Sequence, residues 1–152
     1  MTEDTTPAAT PTAGVSSTDQ AIGTTKSVSS ELYDLIGLKG TTTKAGVGLD
    51  ECAGKDPEKY FSTFHTWTFT PAEPGRLDGV MERLRDELPA KGWKVVGFEP
   101  DTSRNKNLRL TADHDARKHS VRITYWAKDE PPKLNVSVVS GCYQVPEGET
   151  VE

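Results

Sequence analysis

At 152 residues with an apolar fraction of 34%, the chain has room for one domain but is poorer in core-forming residues than an average globular protein, so part of it is expected to stay outside the core. The net charge of −5 is unevenly spread: residues 1–90 carry 8 basic and 14 acidic side chains, residues 91–133 carry 10 and 6, and residues 134–152 carry 3 glutamates and no base. That distribution excludes non-specific nucleic-acid binding, which needs many phosphate contacts at once, yet leaves a basic middle suited to anionic partners.

Residues 1–28 hold Ile22, Val15 and Val28 as their only large aliphatics and are otherwise dominated by Thr, Ser, Ala, Pro and Gly. A segment of that composition buries too little surface to offset its ordering entropy, so it is predicted to be a disordered tether. A tether of about thirty residues has an r.m.s. reach on the order of 30 Å. No basic start, apolar stretch and small-residue cleavage site stand at the N-terminus, so Met1 is expected to be an expression start placed after a removed leader. No apolar run approaches the length of a membrane-spanning helix.

The folded domain is expected over residues 29–145. Ser29 to Gly37 reads as a short helix, with a serine cap, early acids, apolar Leu32, Leu35 and Ile36, and a terminating glycine. Residues 37–59 are rich in Gly, Thr, Lys and Asp and read as an irregular surface excursion pinned by Cys52. From Tyr60 to Thr70 the alternation places Phe61, Thr63, His65, Trp67 and Phe69 on one face of a strand. Pro71 and Pro74 end it, and the stripe Leu77, Val80, Met81, Leu84 and Leu88 predicts a long amphipathic helix. After Gly92, Trp93–Phe98 reads as a strand, and three more follow from alternation: Leu108, Leu110 and Ala112; Val121, Ile123 and Tyr125; Leu134, Val136 and Val138. Short polar connections predict hairpins. The expected fold class is α+β: an antiparallel four-stranded sheet in β-α-β-β-β order, with one long amphipathic helix on one face and a short N-terminal helix. Residues 146–152 are expected to form a frayed acidic tail.

The two cysteines, Cys52 and Cys142, bracket nearly all of the foldable sequence, and a long-range disulfide between them is the natural reading. It would place the protein outside the reducing cytosol. Neither cysteine sits in a nucleophile signature, and no cofactor is expected. Asp113, His114, Asp115 and His119 are of metal-binding types, but their spacing matches no established site, so no metal is expected. His65 is read as a hydrogen-bonded strand residue rather than a base. Asn135-Val136-Ser137 matches a glycosylation sequon but lies inside a predicted strand. The constellation of most interest is the sheet face away from the long helix, where Arg109, Thr111, Arg122, Thr124, Trp126, Asn135 and Ser137 share one parity. Arg109, Arg122 and Trp126 there combine guanidinium and indole groups that suit sugars or anionic polymers.

Cys52 ahead of His65-Thr66-Trp67, the run Asp86-Glu87-Leu88-Pro89 into Gly92-Trp93-Lys94-Val95, and the closing Ser140-Gly141-Cys142-Tyr143 with Val145-Pro146 resemble a group of small exported lipoproteins and secreted proteins of actinobacteria with no assigned function. The resemblance covers roughly residues 45–148 and includes no catalytic motif. It implies an extracytoplasmic, cell-surface or secreted location, with membrane attachment only through a lipid-modified cysteine in the missing leader. The expected function is non-enzymatic: a monomeric, disulfide-stapled binding or interaction domain on a flexible stalk, meeting anionic cell-wall polymer or an envelope protein. The alternative is an envelope enzyme or small-ligand carrier using a pocket between sheet and helices.

Overall fold

The computed structural model describes residues 12–151. In chain order these form β1 (Thr12–Val15), α1 (Thr18–Ile36), β2 (Gly40–Thr42), β3 (Gly48–Asp50), β4 (Tyr60–Pro71), a 3-10 turn (Pro74–Leu77), α2 (Val80–Glu87), a second 3-10 turn (Leu88–Lys91), β5 (Lys94–Pro100), β6 (Leu108–His114), β7 (His119–Trp126), β8 (Lys133–Ser140) and β9 (Cys142–Gln144). The strands make one sheet in the order β1-β9-β4-β8-β7-β6-β5. β2 and β3 lie along the other edge of β4, since Phe64 is opposite Gly48 on one side and Val139 on the other. β1 runs parallel to β9, whereas every other pair is antiparallel.

The expected four-stranded antiparallel sheet is therefore wrong in both count and pairing. Four falls short even of the five extended segments legible in the sequence, which become β4 to β8. The additional strands β1, β2, β3 and β9 are three or four residues long, too short for alternation to declare them. β2, β3 and β9 exist because β4 is twelve residues long and its edges recruit the backbone beside them, and β1 in turn adds to β9.

The helices also exchange roles. The stripe from Leu77 to Leu88 is buried as expected, but proline and glycine divide it into two 3-10 turns around an eight-residue α2. The long helix is α1, of nineteen residues. It opens with a capping box, in which the Ser17 hydroxyl accepts from the Gln20 N–H and the Gln20 side chain accepts from the Ser17 N–H. One face of α1 buries Ala21, Thr25, Val28, Ser29, Leu32 and Ile36. Residues 12–28 are thus ordered as β1 and more than half of α1, not a tether, because the stripe buries small side chains against the sheet instead of large ones. The part of the expected tether over residues 1–11 lies outside the described residues.

Both helices cover the same face of the sheet. Val28, Leu32 and Ile36 of α1 and Val80, Met81 and Leu84 of α2 share one core with Trp67, Phe69, Leu110, Val121, Ile123, Leu134, Val136 and Val138. Arg83 of α2 fastens the two helices together. Its guanidinium donates to the carbonyls of Leu35, at 2.9 Å, and Ile36, the end of α1 where the helix dipole is negative and carbonyls lack helical partners.

A second, smaller core of Ala21, Phe61, Tyr143 and Val145 closes the other end. Here Cys52, just past β3, is joined to Cys142 at the start of β9 across 90 positions of sequence, bearing out the expected disulfide. The C-terminal segment folds back instead of fraying: Val145 and Val151 donate their N–H groups to the carbonyls of Lys59 and Glu58, each at 2.9 Å. Glu152 lies outside the described residues.

Candidate functional site on the open sheet face

With α1 and α2 on the aliphatic side, the opposite face carries the odd-numbered residues of β6 and β8 and the even-numbered residues of β4 and β7. Strand register arranges it in rows. Thr68, Asn135, Thr124, Arg109 and Glu99 form one; Thr66, Ser137, Arg122, Thr111 and Gly97 form the next. Arg109 is opposite Thr124, midway between Arg122 and Trp126 on β7. Arg122 and Trp126 are therefore each a diagonal neighbour of Arg109, about 7–8 Å from it, and lie about 13 Å from each other along β7.

Neither α1 nor α2 lies over them, although Thr124, opposite Arg109, is itself only 5% exposed. Arg122 is exposed and makes no hydrogen bond or ion pair to any described residue. Arg109 is partly held: a guanidinium nitrogen lies 3.6 Å from the Asp101 carboxylate, while its Nε is buried without a described partner. Asp101 is itself fixed by the hydroxyl and N–H of Ser103 and the N–H of Asn107. The Ser103 hydroxyl bond is the main reason the Asp101 carboxyl titrates below its ordinary range, with Arg109 adding to it. Arg109 is thus a positioned cation and Arg122 a free one.

Hydroxyls and amides fill the spaces between. The Thr66 and Ser137 hydroxyls are 3.2 Å apart, and the Asn135 amide donates to the Thr68 hydroxyl at 3.2 Å. At one end of the face Phe64 and Val139 pair across β4 and β8 and remain 41% and 43% exposed. Gly48 makes room for Phe64: a Cβ there would lie 2.3 Å from the ring, so the phenyl group covers β3 backbone. At the other end stands half-buried Trp126 beside Lys133. Six residues along the strands separate these rows, a span of about 20 Å. The face carries Lys94, Arg109, Arg122 and Lys133 against Glu99 and Asp113, with Asp101 and Asp129 paired to Arg109 and Lys133, so its charges nearly balance and Arg122 is left without a partner among the described residues.

The histidines are placed elsewhere. His119 is buried under α1, where its Nδ1 donates to the Arg117 carbonyl at 2.7 Å and its Nε2 lies 2.9 Å from the Thr25 hydroxyl. Burial holds this imidazole below its ordinary value of 6.5, with Arg117 and His114 adding to the depression. His114 packs edge-on against Trp93 at 5.2 Å. Among the described residues no group of three or more His, Cys, Asp or Glu is placed to hold a metal ion. His65 lies on the helix side, bonded through both ring nitrogens, and was legible as a strand residue but not as part of a cluster with Ser29 and Trp67.

No protein-family model, curated protein or solved structure matches the chain, so function rests on the site's own geometry.

Proposed function

We propose that this chain is an extracytoplasmic binding domain whose open sheet face takes up an anionic cell-wall polymer. The observation that carries the reading is Arg122: an exposed guanidinium with no described partner, diagonal to the positioned Arg109, which has the indole of Trp126 on its other side, on a face that neither helix covers. Guanidinium forks donate paired hydrogen bonds to phosphate or carboxylate oxygens, and an indole stacks on the apolar side of a sugar ring. The face is about 20 Å long and holds one concavity beside Arg109 and another beside Arg122, an extent that fits a stretch of polymer better than a single small molecule. The disulfide is compatible with an oxidising compartment, and a lipidated leader remains the proposed means of membrane attachment.

The test is co-sedimentation with insoluble cell-wall material carrying anionic polymer, over a range of salt. Weak binding that falls as salt rises is expected. R109A/R122A should abolish most of it without unfolding the domain, since both side chains lie on the solvent side of the sheet. Undiminished binding in the double variant, with unchanged circular dichroism, would refute the assignment.

A further inference from the structure

A second concavity lies on the helix side of the sheet and is independent of the polymer-binding reading. It is a groove of about 480 Å³ between α1 and the segment joining β2 to β3, within the range of roughly 300–1,000 Å³ typical of small-molecule sites.

The floor is fixed by a hydrogen-bond chain whose directions follow from its members. An indole nitrogen only donates, so Trp67 Nε1 gives its proton to the Ser29 hydroxyl oxygen at 3.2 Å. A carbonyl only accepts, so His65 Nε2, 2.8 Å from the Ala45 oxygen, carries the proton there. In the neutral imidazole Nδ1 is then a bare lone pair, and Ser29 donates into it at 2.7 Å. The outer wall is anchored twice. Ala45 is bound to His65, and Thr43 exchanges bonds with the Thr68 backbone through its own N–H and hydroxyl, both at 3.0 Å. The groove is therefore built before any ligand arrives, which lowers the ordering cost of binding.

Its chemistry is apolar at the back and charged at the rim. Tyr33, 38% exposed, packs its ring against Trp67 and Phe69 at 6.3 and 6.1 Å and offers a flat surface to the cavity. Lys26 and Lys44 line it, exposed and without an ion pair among the described residues, and Asp34 lines it about two turns of α1 beyond Lys26. Two ammonium groups and one carboxylate leave a single unmatched positive charge. We propose that this groove is a binding site for a small aromatic carboxylate, its ring against Tyr33, which packs on the buried Trp67, and its carboxylate between Lys26 and Lys44.

The three tryptophans separate the sites, because Trp67 lines the groove and Trp126 the open face, while Trp93 belongs to the core. Indole-3-acetate is titrated into ¹⁵N-labelled protein and the three indole N–H signals are followed, with W67F assigning the first. The expected result is a saturable shift of the Trp67 signal with a Kd of about 1 mM or tighter, while Trp126 does not move. K26Q/K44Q should weaken binding about tenfold with the free-protein spectrum retained, since both lysines are exposed. R109A/R122A should leave it unchanged. Indole or acetate alone should bind at least tenfold more weakly. No saturable shift at about ten times that concentration, equal binding of uncharged indole, tighter binding of phenyl phosphate, or indifference to the lysine pair would each overturn the assignment. None of these outcomes bears on the sheet-face proposal, which Trp126 reports.

Discussion

Removing the cross-link should destabilise the domain by a calculable amount and at a defined place. With 90 positions between Cys52 and Cys142, loop-closure entropy corresponds to about 4.6 kcal/mol at 25 °C. That is close to the whole stability of many small domains, which lies at roughly 5–15 kcal/mol. For a chain of this size each kcal/mol shifts the melting temperature by roughly 3–4 °C, so C52A/C142A should melt about 15 °C lower. Circular dichroism melts of freshly purified wild type and variant, each with and without a phosphine reductant, give the comparison. Reductant should lower the wild type toward the variant and leave the variant unmoved. Because both cysteines are only 4–5% exposed, reduction should be slow in the native state and faster near the melting transition. Amide exchange should show where the loss falls. β1, β9 and the segment after β3 should lose protection first, since Thr12 pairs with Cys142 and the disulfide holds that end together. β6, β7 and β8, laddered over seven or eight residue pairs, should open last. A melting difference under about 3 °C, or two free thiols in protein prepared without reductant, would refute the reasoning and remove the main argument for an oxidising compartment.

Two further outcomes follow from the helix side of the sheet. His119 is held neutral by burial, so the unfolded chain binds a proton that the native chain refuses as pH falls below the ordinary histidine value of 6.5; stability should be complete above that value and decline below it. Urea midpoints between pH 8 and 5 should fall in the wild type, and H119Q should flatten this part of the profile; a wild type flat over the range would show that His119 titrates freely. Arg83 donates to the last carbonyls of α1, and R83A should cost about 1–2 kcal/mol, discounted from the usual strength of charged hydrogen bonds because the side chain is 36% exposed. Protection factors in the last turn of α1 should drop in that variant, and an unchanged urea midpoint would contradict the fastening role.

The fold was legible where residue pattern repeats and illegible where it does not. Phe61, Trp67 and Phe69 alternate on β4, and Leu134, Val136 and Val138 on β8, so their strands and inward faces could be read directly. Strands of three residues such as Gly40–Thr42 and Cys142–Gln144 contain barely one repeat of any period, and only the partner edge makes them strands. α1 is the instructive error. Its threonines, serines and Gly23 lower helix propensity, and averaged composition made the segment resemble a tether. Phase held the information that the average lost. Ala21, Thr25, Val28, Leu32 and Ile36 recur at spacings of three and four behind a Ser17–Gln20 capping box, a helix signal carried by small residues. Packing on the sheet, not propensity, makes it stable.

The two candidate sites differ in the same way. Arg109, Arg122 and Trp126 share a face by parity alone, and hairpin pairing of β6 with β7 brings them together, so local pattern sufficed to find them. Ser29, His65 and Trp67 meet across 36 and 38 positions, and nothing local marks Ser29 as anything but a cap. The one available clue was parity again: His65 shares its face with Phe61, Trp67 and Phe69, where a polar ring must find partners or bear the cost of desolvation. A histidine forced to face a helix implies a polar residue on that helix. Once Thr18–Ile36 is recognised as helical, Ser29 lies on its buried stripe and becomes the natural partner. The missed helix and the missed groove are therefore one error. Correcting the phase of α1 supplies the wall on which Tyr33 and Lys26 stand, and with it the concavity that the sheet alone does not make.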